Sequence, residues 1–192
     1  MMFSKIEVLL AENSARYRVI EHVAAGKSAE IAAIRGNDPR RSAKALVIDG
    51  KMKTGGIQHY LVILPANCQL NSKNICKAIA AKSISMNPDV EALTGCIPGT
   101  VPPFSFQDNL KVLLDQKIAA LDSGEIFFNA GDLTRSIALD VTDYLRITAS
   151  ESGDFSKEPT PTPVAASSIF AAVAAESHEG VSKDVETPNA TI

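Results

Sequence analysis

The apolar positions of this chain change their period several times along its length. In MMFSKIEVLLAENSARYRVIEH the first stretch repeats at three and four residues and brings Ile6, Leu9 and Leu10 to one face, which predicts an amphipathic helix. Tyr17 to His22 then alternates as a strand does. A short helix follows in SAEIAAIRG, capped by Ser28 and closed by Gly36. KALVIDG and IQHYLVILP, separated by a glycine-containing loop from Lys51 to Gly56, predict a hairpin. Asn71 or Ser72 caps a helix in SKNICKAIAA. Asn87-Pro88 opens another, with Asn at the cap and Gly95 past its end. Leu110 to Leu114, Glu125 to Asn129 and Ser136 to Leu139 are strand candidates, and Asp140 caps a last helix, VTDYLRI. Hairpins without a regular βαβ alternation predict an α+β domain with a mostly antiparallel or mixed sheet and flanking helices.

Composition sets the limits of that domain. The 192 residues suffice for one domain with a real core, and 45% of them are apolar, which is ordinary for a globular protein. The pattern shifts near Ser150, where SESGDFSKEPTPTPVAASS has alternating Thr-Pro and no apolar period. Such a segment cannot bury enough surface to offset chain entropy, so it predicts a disordered or extended tail. The expected division is a body of residues 1–149 and a tail of 150–192, in which IFAAVAAE could form a helix turn or two. Charge follows the same division. Residues 1–150 hold 17 Lys+Arg against 15 Asp+Glu, and 151–192 hold 2 against 7. Arg35, Arg40, Arg41, Lys44, Lys51 and Lys53 form a basic run that suits a phosphate-bearing partner or a solvated surface.

Several classes of chemistry find no support. No run approaches the roughly 18 apolar residues of a membrane span, and Glu7 and Glu12 argue against a signal or transit peptide. Cys68, Cys76 and Cys96 are odd in number and lack a CxxC spacing, so reduced cytosolic thiols are expected rather than disulfides or a zinc site. There is no GxSxG, Walker, GxGxxG or HExxH motif. His59 alternates within an apolar strand, where a structural role is expected. His22 lies at a strand end and could line a pocket. Cys96 has no evident partner for nucleophilic work, and Lys44 starts an apolar strand where a cation would sit at the mouth of a sheet. One stretch, GCIPGTVPPFSF from Gly95 to Phe106, is uncharged and stiffened by paired prolines. It is either a rigid wall for a ligand or a connector whose phenylalanines fill the core.

In order along the chain, YRVIEH, SAEIAAIRG, SAKALVID, HYLVILPANCQLN, NPDVEALTGCIPGTVPPF and IFFNAGDLTRSIALD resemble the YbaK / prolyl-tRNA synthetase-associated domain family of aminoacyl-tRNA editing domains. The resemblance covers about residues 3 to 148. SAKALV, GTVPPF and FNAG at these separations are specific together and weak alone. The resemblance implies a compact fold with a curved, partly barrel-like sheet, free-standing hydrolysis of mischarged tRNA (of tRNA for proline or related tRNAs), and no cofactor or metal. It also implies a cytoplasmic protein with mischarged tRNA as partner and transient contact with a synthetase or translation factor. Lys44 matches the family's signature lysine and would clamp a phosphate. Gly99 to Pro103 matches the loop that holds the terminal adenosine and ester, with backbone N–H groups of Gly99 and Thr100 placed for the oxyanion. Val101, Pro102, Pro103 and Phe104 would complete the wall, and His22, Asn129, Gly131 and Ser136 are the other expected substrate-binding positions. Water, helped by the ribose hydroxyl beside the ester, would be the nucleophile. The alanine-specific branch carries a histidine where this chain has Gly131, which argues against alanine as the substrate side chain. A non-catalytic module that binds a nucleotide or aminoacyl-tRNA on the same fold is the alternative.

Overall fold

Alternation along one strand organises the molecule. In the computed structural model, which describes residues 1–26, 28–150 and 152–159, strand β3 (Ile57–Pro65) is buried from Tyr60 onward. Leu61 and Ile63 enter one apolar cluster, and Tyr60, Val62 and Leu64 enter another. A strand points successive side chains to opposite faces, so a sheet covered on both sides needs a nearly unbroken apolar run. HYLVILP supplies it.

Around β3 lies a five-stranded mixed sheet in the order β5-β2-β3-β6-β9. Strand β2 (Ala43–Met52) pairs antiparallel with β3 and with β5 (Ala81–Met86), while β6 (Leu110–Asp115) runs parallel to β3 and to the short β9 (Ser152–Gly153). A second, antiparallel sheet has the order β1-β8-β7, from Tyr17–Glu21, Arg135–Asp140 and Glu125–Asn129. An isolated bridge between Ser42 and Phe127 links the start of β2 to β7 and curls the two sheets into a half-barrel. The larger cluster fills its interior. Ile6 and Leu10 of helix α1 (Met2–Glu12) are fully buried in it, as the period-3.6 pattern requires. The smaller cluster lies on the other face of the mixed sheet, where Ile75 of α3 (Ser72–Ala78) covers it.

The remaining helices are α2 (Ser28–Arg35), α4 (Val90–Thr94), α5 (Gln116–Ala119) and α6 (Val141–Thr148), with a 3₁₀ turn at Pro39–Arg41. Asn71 and Asp140 cap α3 and α6 as expected. Three expectations change. Helix α4 is capped by Asp89, whose side chain accepts from the Ala92 N–H, and Asn87 instead accepts from the Asp89 N–H one step earlier. The helix expected to run through SKNICKAIAA stops at Ala78, because Ala80 turns left-handed (φ 54°) and Ala81 begins edge strand β5 along β2.

The third change concerns the boundary expected at residue 150. Strand β9 continues the mixed sheet, and β10 (Ser156–Lys157) pairs with β4 (Gln69–Leu70). Phe155 between them is buried in the smaller cluster, its N–H donating to buried Asp115 and its carbonyl accepting from Asn71. One aromatic ring with two backbone hydrogen bonds is enough to hold a segment whose other residues are polar. The first structural unit therefore runs to Pro159. The Thr-Pro stretch and IFAAVAAE lie outside the described residues.

Candidate active site

A cavity of about 400 Å³ opens at the junction of the two sheets. Its walls are the first residues of β2, the end of β7 at Phe128 and Asn129, the inward side of α2, and three loop points: Gly26, Ala66 and the Gly99–Val101 turn. Among the described residues two cations, Arg35 and Lys44, reach it, and no carboxylate lines it.

The rigid loop meets this cavity with its backbone. Gly95 ends α4 in the left-handed conformation, and a tight turn follows in which both the N–H and the hydroxyl of Thr100 donate to the Ile97 carbonyl. Gly99 has φ +91°, and a Cβ there would lie 2.8 Å from the Gly26 carbonyl oxygen. Only glycine permits that backbone-to-backbone approach. The Asn129 amide donates to the Gly99 carbonyl at 2.7 Å and fixes the turn against β7. Gly99 and Val101 reach the cavity. Thr100 is 1% exposed with its N–H already committed, so it anchors the turn and offers no donor to a ligand. Pro102 and Pro103 are buried, and the Tyr144 hydroxyl donates to the Pro103 carbonyl. Phe104 packs edge-on against Phe128 and Tyr144 at centroid distances of 5.6 and 5.5 Å. The far half of the loop is therefore a core anchor, and the wall it was expected to form narrows to Gly99 and Val101.

A polar network closes the other side. His22 Nδ1 faces the Val23 carbonyl at 2.8 Å, which places a proton there, and Nε2 faces Ser136 Oγ at 2.8 Å. Ser136 is fully buried, accepts from Arg35 Nη1 at 3.1 Å, and lies 3.3 Å from Asn129 Oδ1. Arg35 also donates from Nη2 to Ser42 Oγ at 3.0 Å and from Nε to Asn37 Oδ1 at 3.0 Å. The expected residues His22, Asn129 and Ser136 thus meet in one polar cluster, tied to Gly99 through the Asn129 amide. Gly131 does not join them. It turns left-handed beneath Met2 of α1, and its N–H donates to the Thr100 carbonyl, so it supports the loop from behind.

Lys44 Nζ donates to the Ala66 and Cys68 carbonyls, and burial lowers its pKa from the ordinary lysine value, with the neighbouring Cys68 acting the other way. An ammonium has three N–H groups, so two are committed to the protein. The basic run expected near it disperses. Arg40 pairs with Asp38, Arg41 donates to the Ser123 carbonyl, and Lys51 and Lys53 lie at the other end of the hairpin. Sequence patterning passed over Arg35, Ser42 and Asn37 as site residues. The available signal was a long cation ending a helix whose other faces are apolar.

The remaining candidates are structural. Cys96 is buried away from the cavity, and burial pushes its thiol pKa up, opposite to what a thiolate nucleophile needs. His59 pairs with Asp49 directly across the hairpin. Among the described residues no group of three His, Cys, Asp or Glu side chains could hold a metal ion.

Comparison with known proteins matches this geometry to one family. The model of the aminoacyl-tRNA editing domain matches residues 22–147. The multifunctional Ser/Thr-tRNA deacylase ProXp-y of Escherichia coli K12 is 38% identical over 154 residues, covering 79% of this chain and 90% of the relative, and its O157:H7 counterpart matches equally. A solved structure of a proposed trans-editing enzyme for prolyl tRNA synthetase superposes with TM-score 0.66 at 20% identity, over 81% of this chain and 97% of that one. The hypothetical protein APE2540 superposes with TM-score 0.69 at 20% identity, over 80% and 99%.

Proposed function

This chain belongs to the aminoacyl-tRNA editing domain family and is an aminoacyl-tRNA deacylase; from that premise we propose how its cavity performs the hydrolysis and on which esters. The terminal aminoacyl-adenosine enters the cavity with its ester against the Gly99–Val101 turn. The N–H groups of Gly99 and Val101 have no hydrogen-bond partner among the described residues, and they receive the oxyanion as it develops. Asn129 supports them by holding the Gly99 carbonyl. Water attacks the ester, oriented by the ribose hydroxyl next to it. An aminoacyl ester is already activated, so no protein nucleophile is required. Lys44 contributes its third N–H and its charge beside the ester. The one observation that carries this reading is a cavity lined, among the described residues, by two cations, no carboxylate and a glycine backbone edge fixed by a side-chain amide.

The amino acid is small and carries a hydroxyl. Ser42 and Asn129 give the cavity polar atoms that a serine or threonine side chain can meet, and the E. coli relative's name supports the same choice. The tRNA bearing it is tRNA for proline or another mischarged tRNA, and the enzyme works in the cytoplasm, in passing contact with a synthetase or translation factor. No described helix is long and apolar enough to cross a membrane.

The test is a deacylation panel of tRNAs, including tRNA for proline, charged with serine, threonine, alanine or cysteine. Seryl and threonyl esters should be cleaved at least about tenfold faster than alanyl esters, because a site built to meet a hydroxyl rejects the analogue lacking it. Lys44→Ala should lower the rate by about tenfold or more and cost about 1–2 kcal/mol in thermal unfolding, since it also ties down the Ala66–Cys68 carbonyls. Cleavage of none of the esters would reduce the protein to a binding module.

A further inference from the structure

Among the described residues, Arg35 is a cation without an anion. Its guanidinium ends α2, lines the cavity and is partly buried. Its three fixed contacts, Ser136 Oγ, Ser42 Oγ and Asn37 Oδ1, are all neutral. No ion pair involves it among the described residues, whereas Arg16, Arg18, Arg40, Arg135 and Arg146 each have a carboxylate. Phe127 lies beneath it at 5.8 Å, and the C-terminal end of α2 supplies only part of a compensating charge. Burial alone lowers its pKa to about 10, with no neighbouring charge among the causes.

A buried charge ordinarily comes with a partner, because desolvation without one is costly. Here the fork is aimed by three hydrogen bonds and still has two N–H groups unassigned, one on each terminal nitrogen. That is the arrangement for two parallel bonds to a phosphate or carboxylate. Lys44 is a poorer candidate, since Ala66 and Cys68 already hold two of its three N–H groups. The free α-amino group of an aminoacyl ester is itself cationic and must lie away from Arg35. The anion on that substrate is the phosphodiester attached to the terminal nucleoside.

We propose that Arg35 is the phosphate anchor of the site, gripping the 5′-phosphate of the terminal adenosine in a two-pronged contact and so setting the distance from phosphate to ester. This rests on the deacylase reading for the identity of the substrate. The contact itself can be tested without turnover.

The experiment measures binding of adenosine 5′-monophosphate and of adenosine to the full chain by calorimetry, for the parent, Arg35→Gln and Arg35→Lys. The parent should bind the monophosphate about 10- to 100-fold more tightly than adenosine. Arg35→Gln should reduce that ratio to within about threefold of unity, and Arg35→Lys should retain an intermediate ratio. A structural role for Arg35 would weaken both ligands together and leave the ratio unchanged, which would overturn the proposal. A second measurement needs no variant. The Arg35 Nε–H resonance of the parent should shift on adding the monophosphate and stay in place with adenosine. No selective shift, or equal affinity for the two probes in the parent, would also overturn it. A parent that shows the selectivity but cleaves no ester would refute the deacylase reading and leave the phosphate anchor standing.

Discussion

Gly99 stands where two backbones touch, and that single contact decides what a substitution there can report. Its φ is +91°, and an added Cβ would meet the Gly26 carbonyl oxygen, which as backbone has little freedom to retreat. Gly99→Ala should therefore cost more than about 1 kcal/mol and displace the turn from Asn129. Melting temperature and deacylation rate should fall together; an unchanged melting temperature would mean that the left-handed turn relaxes freely. The sequence made this loop conspicuous through its paired prolines and its phenylalanines, yet those residues pack into the core. Paired prolines and aromatic rings look alike in a binding wall and in a buried anchor, because both need stiffness and apolar surface. What distinguishes them is the direction of each side chain, which depends on α1 and α6 packing from elsewhere in the chain. Arg35 was hidden for the converse reason: as text it is one more arginine in a basic run, and only the fold shows that it turns into the cavity while Arg40 pairs with Asp38 and Arg41 binds the Ser123 carbonyl.

At the scale of elements, local chemistry was readable where it was self-contained. Asn71 and Asp140 cap their helices because capping needs only the next two or three residues. Strand β5 was not readable. AKSISM follows helix α3 closely, has mostly exposed side chains, and becomes a strand because the edge of β2 offers it hydrogen bonds. Helix α6 shows how such long-range ties are fastened. Asp143 accepts from Arg146 Nη2 at 2.8 Å and from the Arg16 N–H at 2.9 Å, joining α6 to the chain just before β1. These bonds, the Arg146 one foremost, lower the Asp143 pKa from 3.8 to about 2. A carboxylate with a depressed folded-state pKa lends stability above its unfolded value and loses it as pH falls through the folded one. Unfolding measured from pH 5 to pH 2 should thus show a loss between about 4 and 2, and Asp143→Asn should flatten that part of the curve. An equally steep curve in the variant would place the acid sensitivity elsewhere, for instance at Asp132, whose pKa is also lowered to about 2 by its bonds to Thr134 and Arg135.

For the whole molecule, composition located a change of character near residue 150 but not the last strands among the described residues. Only Phe155 distinguishes the closing pair of strands from the polar sequence around it, and a single ring gives no period to read. Two truncations separate the parts. Ending the chain after Pro159 should leave melting temperature and deacylation unchanged. Ending it after Ser150 removes Phe155 from the core and the donor from buried Asp115, and should lower the melting temperature by roughly 10 °C. Equal stability of the two would make β9 and β10 decorations.

The bridge between Ser42 and Phe127 has a consequence of its own. It is the isolated ladder contact at which the two sheets meet, and the hydroxyl of Ser42 also accepts from Arg35 and Asn37. The half-barrel is thus a jacket with its clasp sewn into the same cloth as its pocket. Opening the clasp spills the pocket, so a warmed or aged preparation would lose its chemistry while its spectrum still looked native, and whatever occupies the pocket would hold the garment shut.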